Sequence, residues 1–451
     1  MSIRNNLSPR PPMGWNSYDT FGDFVTEAEV KAQADAMAGL LLPAGWQYLV
    51  IDCGWYLPRF ADRPSTYEAD LVLDEWGRLI PVVERFPSSA GGAGLRPLAD
   101  YVHRLGLKFG LHVMRGIPRV AAALNLPILG SDQRAGDVAN RQSFCPWSTG
   151  MWGMDWSQPG AQAYYNSLFA LYAQWQVDFV KMDDMVGYAK PAESPAKPGQ
   201  GLGRALRAPY YEHDVLGARA AADATGRDIV LSLSPGDYAS AEFAPHMMQH
   251  VEMARLSADL WDEWPPLKRQ FDLCPPWAEH IGNGFWPDID MLPLGMIGLR
   301  HGSQRGPDRK SLFTRDEQQL MMTLWAIFRS PLFFGGDLTR LDAQTLALLT
   351  NPEALAVNRH STGNRQLFRR GEHAGWIAEA PGGKEKYLAL FNLADSGSAE
   401  IAVSLDELGM RGHVCLRDLW TRQDLPSAGA IRLAVRAHGS RLVKVSTANG
   451  G

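Results

Sequence analysis

What this 451-residue chain lacks narrows its class before any motif is read. It holds no run of about 18 apolar residues, so nothing in it reads as a membrane span. Its first stretch, MSIRNNLSPRPPMGW, has no apolar core of a secretory leader, and with the opening Met this makes the cytoplasm the expected location. Cysteine is scarce: Cys53, Cys145, Cys274 and Cys415 are widely scattered and form no CxxC pair. That spacing argues against a structural zinc site and against a disulfide framework. Positive charge is not in excess, with 44 Lys and Arg against 49 Asp and Glu, which argues against a nucleic-acid partner. There is no HExxH, no GxSxG and no phosphate-binding P-loop.

What is present has the composition of an ordinary globular enzyme, 45% hydrophobic and 21% charged. Tryptophan is plentiful at 15 residues. Flat aromatic faces suit both apolar cores and the C–H surfaces of sugar rings, so this count alone decides nothing. The length exceeds that of one small core and suggests two domains.

Up to residue 358, short β-rich runs alternate with amphipathic stretches. Strands are expected at 13–16, 48–52, 108–113, 178–183, 229–233, 250–255, 284–290 and 331–334. Helices are expected at 27–40, 95–105, 161–175, 215–224 and 315–327. Eight strands in this alternation predict a (β/α)8 barrel. A doubly wound sheet is the alternative, but it usually carries a Gly-rich phosphate turn after an early strand. The nearest candidate, Gly199-Gln-Gly-Leu-Gly203, sits among Pro191, Pro195 and Pro198 and reads as a loop. The insertion at 191–207 follows the fourth strand. It reads equally as a surface excursion and as a substrate lid or subunit contact. After residue 358 the pattern becomes short alternating strands at 376–380, 386–392, 399–403, 413–418, 430–435 and 440–445. This predicts a C-terminal antiparallel β-sandwich over 359–451 behind a barrel over 1–358.

Barrel enzymes carry their chemistry at the C-terminal ends of the strands. There the sequence places Asp52, His112, Lys181, Asp183, Ser234, Arg255, Asp259, Asp288 and Asp290. Any one of them is more often a structural ion pair; so many together favour a site. Lys181 and Asp183 share one face of a strand, and a nearby cation keeps a carboxylate ionised. Asp184 points the other way and is expected to pair behind the barrel. Asp259, in the loop after strand six, can lean over the same opening. Two carboxylates on one rim are the requirement of glycoside hydrolysis, retaining when about 5–5.5 Å apart and inverting when farther. A metal-dependent hydrolase is an alternative, weakened because His112 is the only histidine at a strand's C-terminal end. A sugar-binding protein without catalysis is another, weakened because both carboxylates are present.

Several motifs in order carry a resemblance. Pro11-Pro-Met-Gly-Trp-Asn-Ser17 opens the barrel, followed by Val180-Lys-Met-Asp183, then Arg255 and Asp259 four apart, then Trp286-Pro-Asp-Ile-Asp-Met-Leu292. Leu324-Trp-Ala-Ile327, Ser330-Pro-Leu-Phe-Phe334, Gly336-Asp-Leu338 and Ala356-Val-Asn358 complete the set. Over nearly its whole length the chain resembles glycoside hydrolase family 27, the α-galactosidase and α-N-acetylgalactosaminidase family. The resemblance implies a barrel with a C-terminal antiparallel domain, a retaining exo-acting α-glycosidase, no metal or other cofactor, and a glycoside or oligosaccharide as partner, with no membrane and the oligomeric state open. It implies Asp183 as nucleophile, Asp259 as acid/base, and Lys181, Asp52, Arg255 and Asp290 as holders of sugar hydroxyls.

The departures bear on the substrate. Where the family pairs two Asp after strand two, this chain has Asp52 and Cys53. Tyr18 stands where a sugar-stacking Trp is usual, and His112 where a Tyr is usual. Ser234 takes the place of the Glu that senses the sugar 2-position, with Asp237 and Tyr238 nearby. The cysteines that bridge the strand-three loop to the nucleophile strand are gone, Met185 occupying one position. Terminal α-galactosides are the default substrate; α-N-acetylgalactosaminides, β-L-arabinopyranosides and isomaltose-type α-glucosides are the alternatives.

Overall fold

The computed structural model describes residues 7–58, 71–145, 148, 150–186, 210–235, 239–298 and 308–447. The insertion at 191–207, Gly199 to Gly203, Asp237 and Tyr238 lie outside the described residues.

Eight parallel strands curl into one sheet: β1 Met13–Asn16, β2 Tyr48–Ile51, β3 Lys108–Met114, β4 Phe179–Val186, β5 Val230–Pro235, β6 Met253–Arg255, β7 Trp286–Asp288 and β8 Leu332–Phe334. Each pairs with its sequence neighbour from β1 to β7, and β8 returns to pair with β1 through Met13 and Leu332. Leu292, just past β7, bridges in parallel to Phe334 of β8 and closes the barrel. The longer helices between strands are α1 Glu27–Leu40, α2 Arg96–Arg104, α3 Pro159–Gln174, α4 Glu212–Ala224, α5 Ala244–His250, α6 Trp264–Leu273 and α7 Arg315–Phe328. α8 Ala343–Thr350 and α9 Pro352–His360 follow β8. The barrel replaces the doubly wound alternative.

Local chemistry explains where these helices begin. Thr26 and Glu29 form a reciprocal capping box before α1, and Thr314 and Glu317 do the same before α7. The expected strand at 250–255 is three residues long, because Pro245 opens α5 and that helix runs through His250. The expected strand at 284–290 narrows to Trp286–Asp288, since Asp290 takes a left-handed backbone at φ 88°.

The two-residue period of a strand sorts the barrel. Leu49, Ile51, Phe109, Leu111, Val180, Met182, Leu231 and Leu233 face the helices and join the large outer core. Tyr48, Val50, Phe179, Val230, Met253, Trp286 and Phe333 face inward and plug the barrel's lower half. Ring pairs tie this plug together, with centroids 5.4 Å apart for Tyr48 and Phe179 and 5.3 Å for Phe179 and Phe333. Gly14 and Gly110 make room for it. A Cβ on Gly14 would stand 2.3 Å from the Tyr48 carbonyl oxygen.

Past α9 come the strands β9 Thr362–Arg370, β10 His373–Glu379, β11 Lys386–Asn392, β12 Ser398–Val403, β13 Val414–Asp418, β14 Gln423–Ala428, β15 Ile431–Arg436 and β16 Gly439–Thr447. A six-stranded antiparallel sheet in the order β9-β10-β11-β16-β13-β14 packs against the pair β12-β15, forming the expected sandwich. β9 and β14 were not anticipated. β11 is buried on both faces: Leu388 and Leu390 fill the sandwich, while Tyr387, Ala389 and Phe391 join the barrel's outer core. Phe391 meets Phe271 at 4.9 Å, Trp376 meets Phe328 at 5.8 Å, and Trp420 donates from Nε1 to Thr323 on α7. The sandwich is thus seated on α7. No helix among the described residues is long and apolar enough to cross a membrane.

Candidate active site

The inward parity that builds the plug also builds what lies above it. One step further along each strand, the inward residues become polar: Asn16 on β1, Asp52 just past β2, His112 on β3, Lys181 and Asp183 on β4, Ser232 and Ser234 on β5, Arg255 on β6 and Asp288 on β7. Of these, Asn16, Lys181, Ser232, Ser234, Arg255 and Asp288 line a pocket together with Asp290, over a floor of Phe179, Met253 and Phe333. The pocket is therefore a dead end from below.

Two clusters of charge divide it. In the first, Asp52 is buried and its Oδ2 accepts from Lys181 Nζ at 2.8 Å and from Asn16 Nδ2 at 2.6 Å. The Cys53 amide donates to the other Asp52 oxygen at 2.7 Å. Burial works against the Asp52 charge, but Lys181 and these bonds overcome it and hold the carboxyl well below its usual range. Burial likewise works against the Lys181 charge, and Asp52 more than restores it. Asp183 lies beside this pair. Its Oδ2 is 3.2 Å from His112 Nε2, which donates because an ionised carboxylate only accepts, and its Oδ1 accepts the Asp184 amide at 2.9 Å. Burial opposes ionisation of Asp183; the His112 bond, followed by the charges of His112, Lys181 and Arg255, reverses the balance and lowers its pKa.

The expected effect of Lys181 is present, since its charge is among those that lower the Asp183 pKa, but it acts without a direct bond. Lys181 shares a face with Asp183 but bonds directly to Asp52; the direct partner of Asp183 is His112 on the neighbouring strand. The reason is register. His112 pairs across from Lys181 in the β3–β4 ladder, so its ring reaches the next inward residue, Asp183. His112 is fully buried and its Nδ1 makes no hydrogen bond among the described residues. Asp184 points away as expected and is held behind the barrel by Arg115 Nη2 at 2.9 Å, in a left-handed conformation at φ 60°.

The second cluster is centred on Arg255. Its Nη2 lies 2.8 Å from Asp259 Oδ1 and its Nη1 3.4 Å from Asp290 Oδ1, while Nε donates to the Ser257 carbonyl. Asp290 also accepts the Leu260 amide at 2.6 Å and the Met291 amide at 2.8 Å, which fixes its left-handed backbone. A non-glycine residue in that region stores about 1–3 kcal/mol of strain, maintained here by the surrounding bonds. Burial raises the Asp290 pKa against the lowering charge of Arg255. Burial and the Asp290 charge together push Asp288 up to about 7. The Asp259 side chain, by contrast, is 56% exposed at the rim.

The remaining expected residues fall around these clusters. Ser234 lines the pocket, 1% exposed, and its hydroxyl has no partner among the described residues. Tyr18, half-buried, packs against the plug. Cys53 is buried behind Asp52 with its sulfur 3.8 Å from the Tyr56 hydroxyl. All four cysteines are unpaired. Among the described residues no group of three or more His, Cys, Asp or Glu is arranged to hold a metal ion.

Asn16 and Asp19 were missed as site residues. Asn16 could have been found by carrying the strand parity back to β1. Asp19 lies on a short helix after β1, buried with Oδ2 unpartnered among the described residues, its pKa raised well above the usual range by burial and then by Asp290 and Asp259. No local pattern announces it.

A dead-end pocket with carboxylates at the C-terminal ends of barrel strands is the arrangement that glycoside hydrolysis requires. The family profile described as alpha galactosidase A matches residues 153–360, and that described as the alpha galactosidase C-terminal beta sandwich domain matches 370–445. The crystal structure of a GH27 β-L-arabinopyranosidase from Geobacillus stearothermophilus is 45% identical, covers 99% of both chains and superposes with a TM-score of 0.92. A putative α-N-acetylgalactosaminidase from Bacillus halodurans is 43% identical with a TM-score of 0.85, again over 99% of both. Alpha-galactosidase 3 of Arabidopsis thaliana is 27% identical over 97% of this chain and 82% of its own. The chain belongs to glycoside hydrolase family 27.

Proposed function

We propose that this enzyme is a retaining, exo-acting glycosidase that removes terminal galacto-configured pyranosides and prefers β-L-arabinopyranosides to α-D-galactosides. The observation that carries the preference is the pair Asp52-Cys53 past β2. β-L-Arabinopyranose has the ring configuration of α-D-galactopyranose without the hydroxymethyl group. A site that grips that hydroxymethyl needs a second acceptor, and here the second position is a buried thiol. Sites built for a hydroxyl discriminate by its presence, so exchanging the acceptor for a weakly polar group moves the preference toward the sugar that lacks it. The likeness to the Geobacillus arabinopyranosidase supports the same reading.

In the reaction, Asp183 attacks the anomeric carbon. Its depressed pKa supports this role, because the nucleophile must be ionised, and the His112 and Asp184 bonds aim it. Asp259 protonates the departing oxygen and then, as base, draws the proton from the water that releases the sugar. Its rim position lets both the aglycone and water reach it, and Arg255 fixes its orientation. Asp52, Lys181, Arg255 and Asp290 hold ring hydroxyls, Tyr18 borders the sugar plane, and the plug below supports cleavage from chain ends only. A second reading rests on Ser234: its small side chain and unpartnered hydroxyl leave room at the sugar 2-position, as an α-N-acetylgalactosaminide needs.

A panel of nitrophenyl glycosides tests this. The β-L-arabinopyranoside is expected to give the highest kcat/KM, about tenfold or more above the α-D-galactoside. A galactoside rate equal to or above it removes the proposed preference. A dominant rate on the N-acetylgalactosaminide substitutes the second reading.

A further inference from the structure

At the other end of the barrel lies a cleft of about 870 Å³ whose lining includes Arg10, Arg329, Arg359, Arg365 and His360 against one carboxylate, Glu279. It is formed where the chain enters β1, β7 and β8 and where α9 hands over to β9, so it opens on the N-terminal face, below the plug. Glu279 is 82% exposed, with its Oε1 3.8 Å from His280 Nε2. Among the described residues none of the four arginines pairs with a carboxylate.

Arg329 is the most constrained of them. It is only 8% exposed, its backbone is left-handed at φ 58°, and its guanidinium lies 4.6 Å above the ring of Trp286. Its Nε and Nη2 donate to the carbonyls of Asn358 and Arg359 at the end of α9. Capping a helix C-terminus is a sound use of a cation. It occupies one edge of the guanidinium and leaves Nη1 without a partner among the described residues. Capping also does not account for its neighbours. Among the described residues the Arg359 guanidinium donates only to the Ala44 carbonyl, and Arg10 and Arg365 are exposed on the same walls. Burial, then the Arg10 charge, holds Arg329 down to about 10, and the same two causes lower Arg359. Buried charge that repels its neighbours and lacks a counter-ion is costly unless something supplies one.

We propose that this cleft is a binding site for a phosphate group, free or carried by a small phosphorylated molecule, distinct from the catalytic pocket. Guanidinium groups arrayed around a concavity offer paired N–H donors to the oxygens of a tetrahedral dianion, which carboxylate-poor walls do not repel. The volume lies within the range of small-molecule sites.

Calorimetric titration of the intact protein with inorganic phosphate, and separately with glucose 6-phosphate, against chloride of matched ionic strength, tests the proposal. Saturable binding with a Kd of about 1 mM or tighter is expected for at least one probe. The exposed Arg10→Gln, which removes no side-chain hydrogen bond among the described residues, is expected to weaken it about tenfold while leaving aryl-glycoside hydrolysis unchanged. Arg359→Gln is expected to weaken it at least as much. Tighter binding of glucose 6-phosphate than of phosphate assigns a phosphorylated small molecule, and equal binding assigns free phosphate. Absence of saturable binding by either probe overturns the proposal, as does binding that survives both substitutions. Self-association that buries the cleft and is insensitive to phosphate overturns it too.

Discussion

The two halves of the catalytic pocket are built differently from the same residue type. On the β4 side, Asp183 is carried by a strand, buried to 9% exposure and bonded through both oxygens. On the β6 side, Asp259 is carried by a loop, more than half exposed, and held by the Arg255 guanidinium. A nucleophile has to be ionised, aimed and shielded; an acid/base has to exchange protons with solvent and meet a variable leaving group. In the proposed mechanism the role of each carboxylate follows from the element that carries it. Buried bonding partners hold the first in place, and access governs the second.

Substitutions can break or sharpen this contrast. The largest effect is expected for Asp183→Asn, with kcat falling by about 10⁴ or more while thermal unfolding and circular dichroism stay near wild type. Asp259→Asn comes next, with a loss of about 10²–10⁴ on poor leaving groups and a near-normal first step on dinitrophenyl glycosides, read by the burst of phenolate. If both variants lose activity equally on every leaving group, the division of roles fails. His112→Phe removes the bond that most lowers the Asp183 pKa, so the acidic limb of kcat/KM against pH should move to higher pH. One hydrogen bond to a charged group is worth about 1.5–3 kcal/mol, so a loss of about 10–100-fold is expected near neutrality. An unmoved acidic limb would detach His112 from the nucleophile. The smallest effect is expected for Cys53→Asp, which restores a second carboxylate and should shift the arabinopyranoside-to-galactoside ratio of kcat/KM about tenfold toward galactoside, read from the same nitrophenyl pair.

Much of the pocket was legible from strand parity. Runs such as Tyr48-Leu-Val-Ile51, buried on both faces, are the mark of a covered parallel sheet, and counting in twos along them places Asp52, Lys181 and Asp183 inside. What parity cannot supply is which inward residues touch. That depends on the register between strands, which is why the bond from Lys181 to Asp52 and the one from His112 to Asp183 emerged only in three dimensions. Asp19 escaped because a single helical turn has no usable period. In the C-terminal domain, β9 and β14 escaped because they are edge strands. Thr362–Arg370 is largely polar and interrupted by register shifts, and Gln423–Ala428 contains Pro426, tolerated where one side of the strand is unpaired.

The most direct test of the division between Asp183 and Asp259 is to trap the covalent intermediate. A fluorinated arabinopyranoside or galactoside with a good leaving group slows release of the sugar, and mass mapping of the digested protein then locates the attached sugar. The account predicts one sugar per chain on the peptide containing Met182 and Asp183, with Asp183 as the modified residue. A sugar on Asp259, or turnover that inverts the anomeric centre without any trapped adduct, would contradict it.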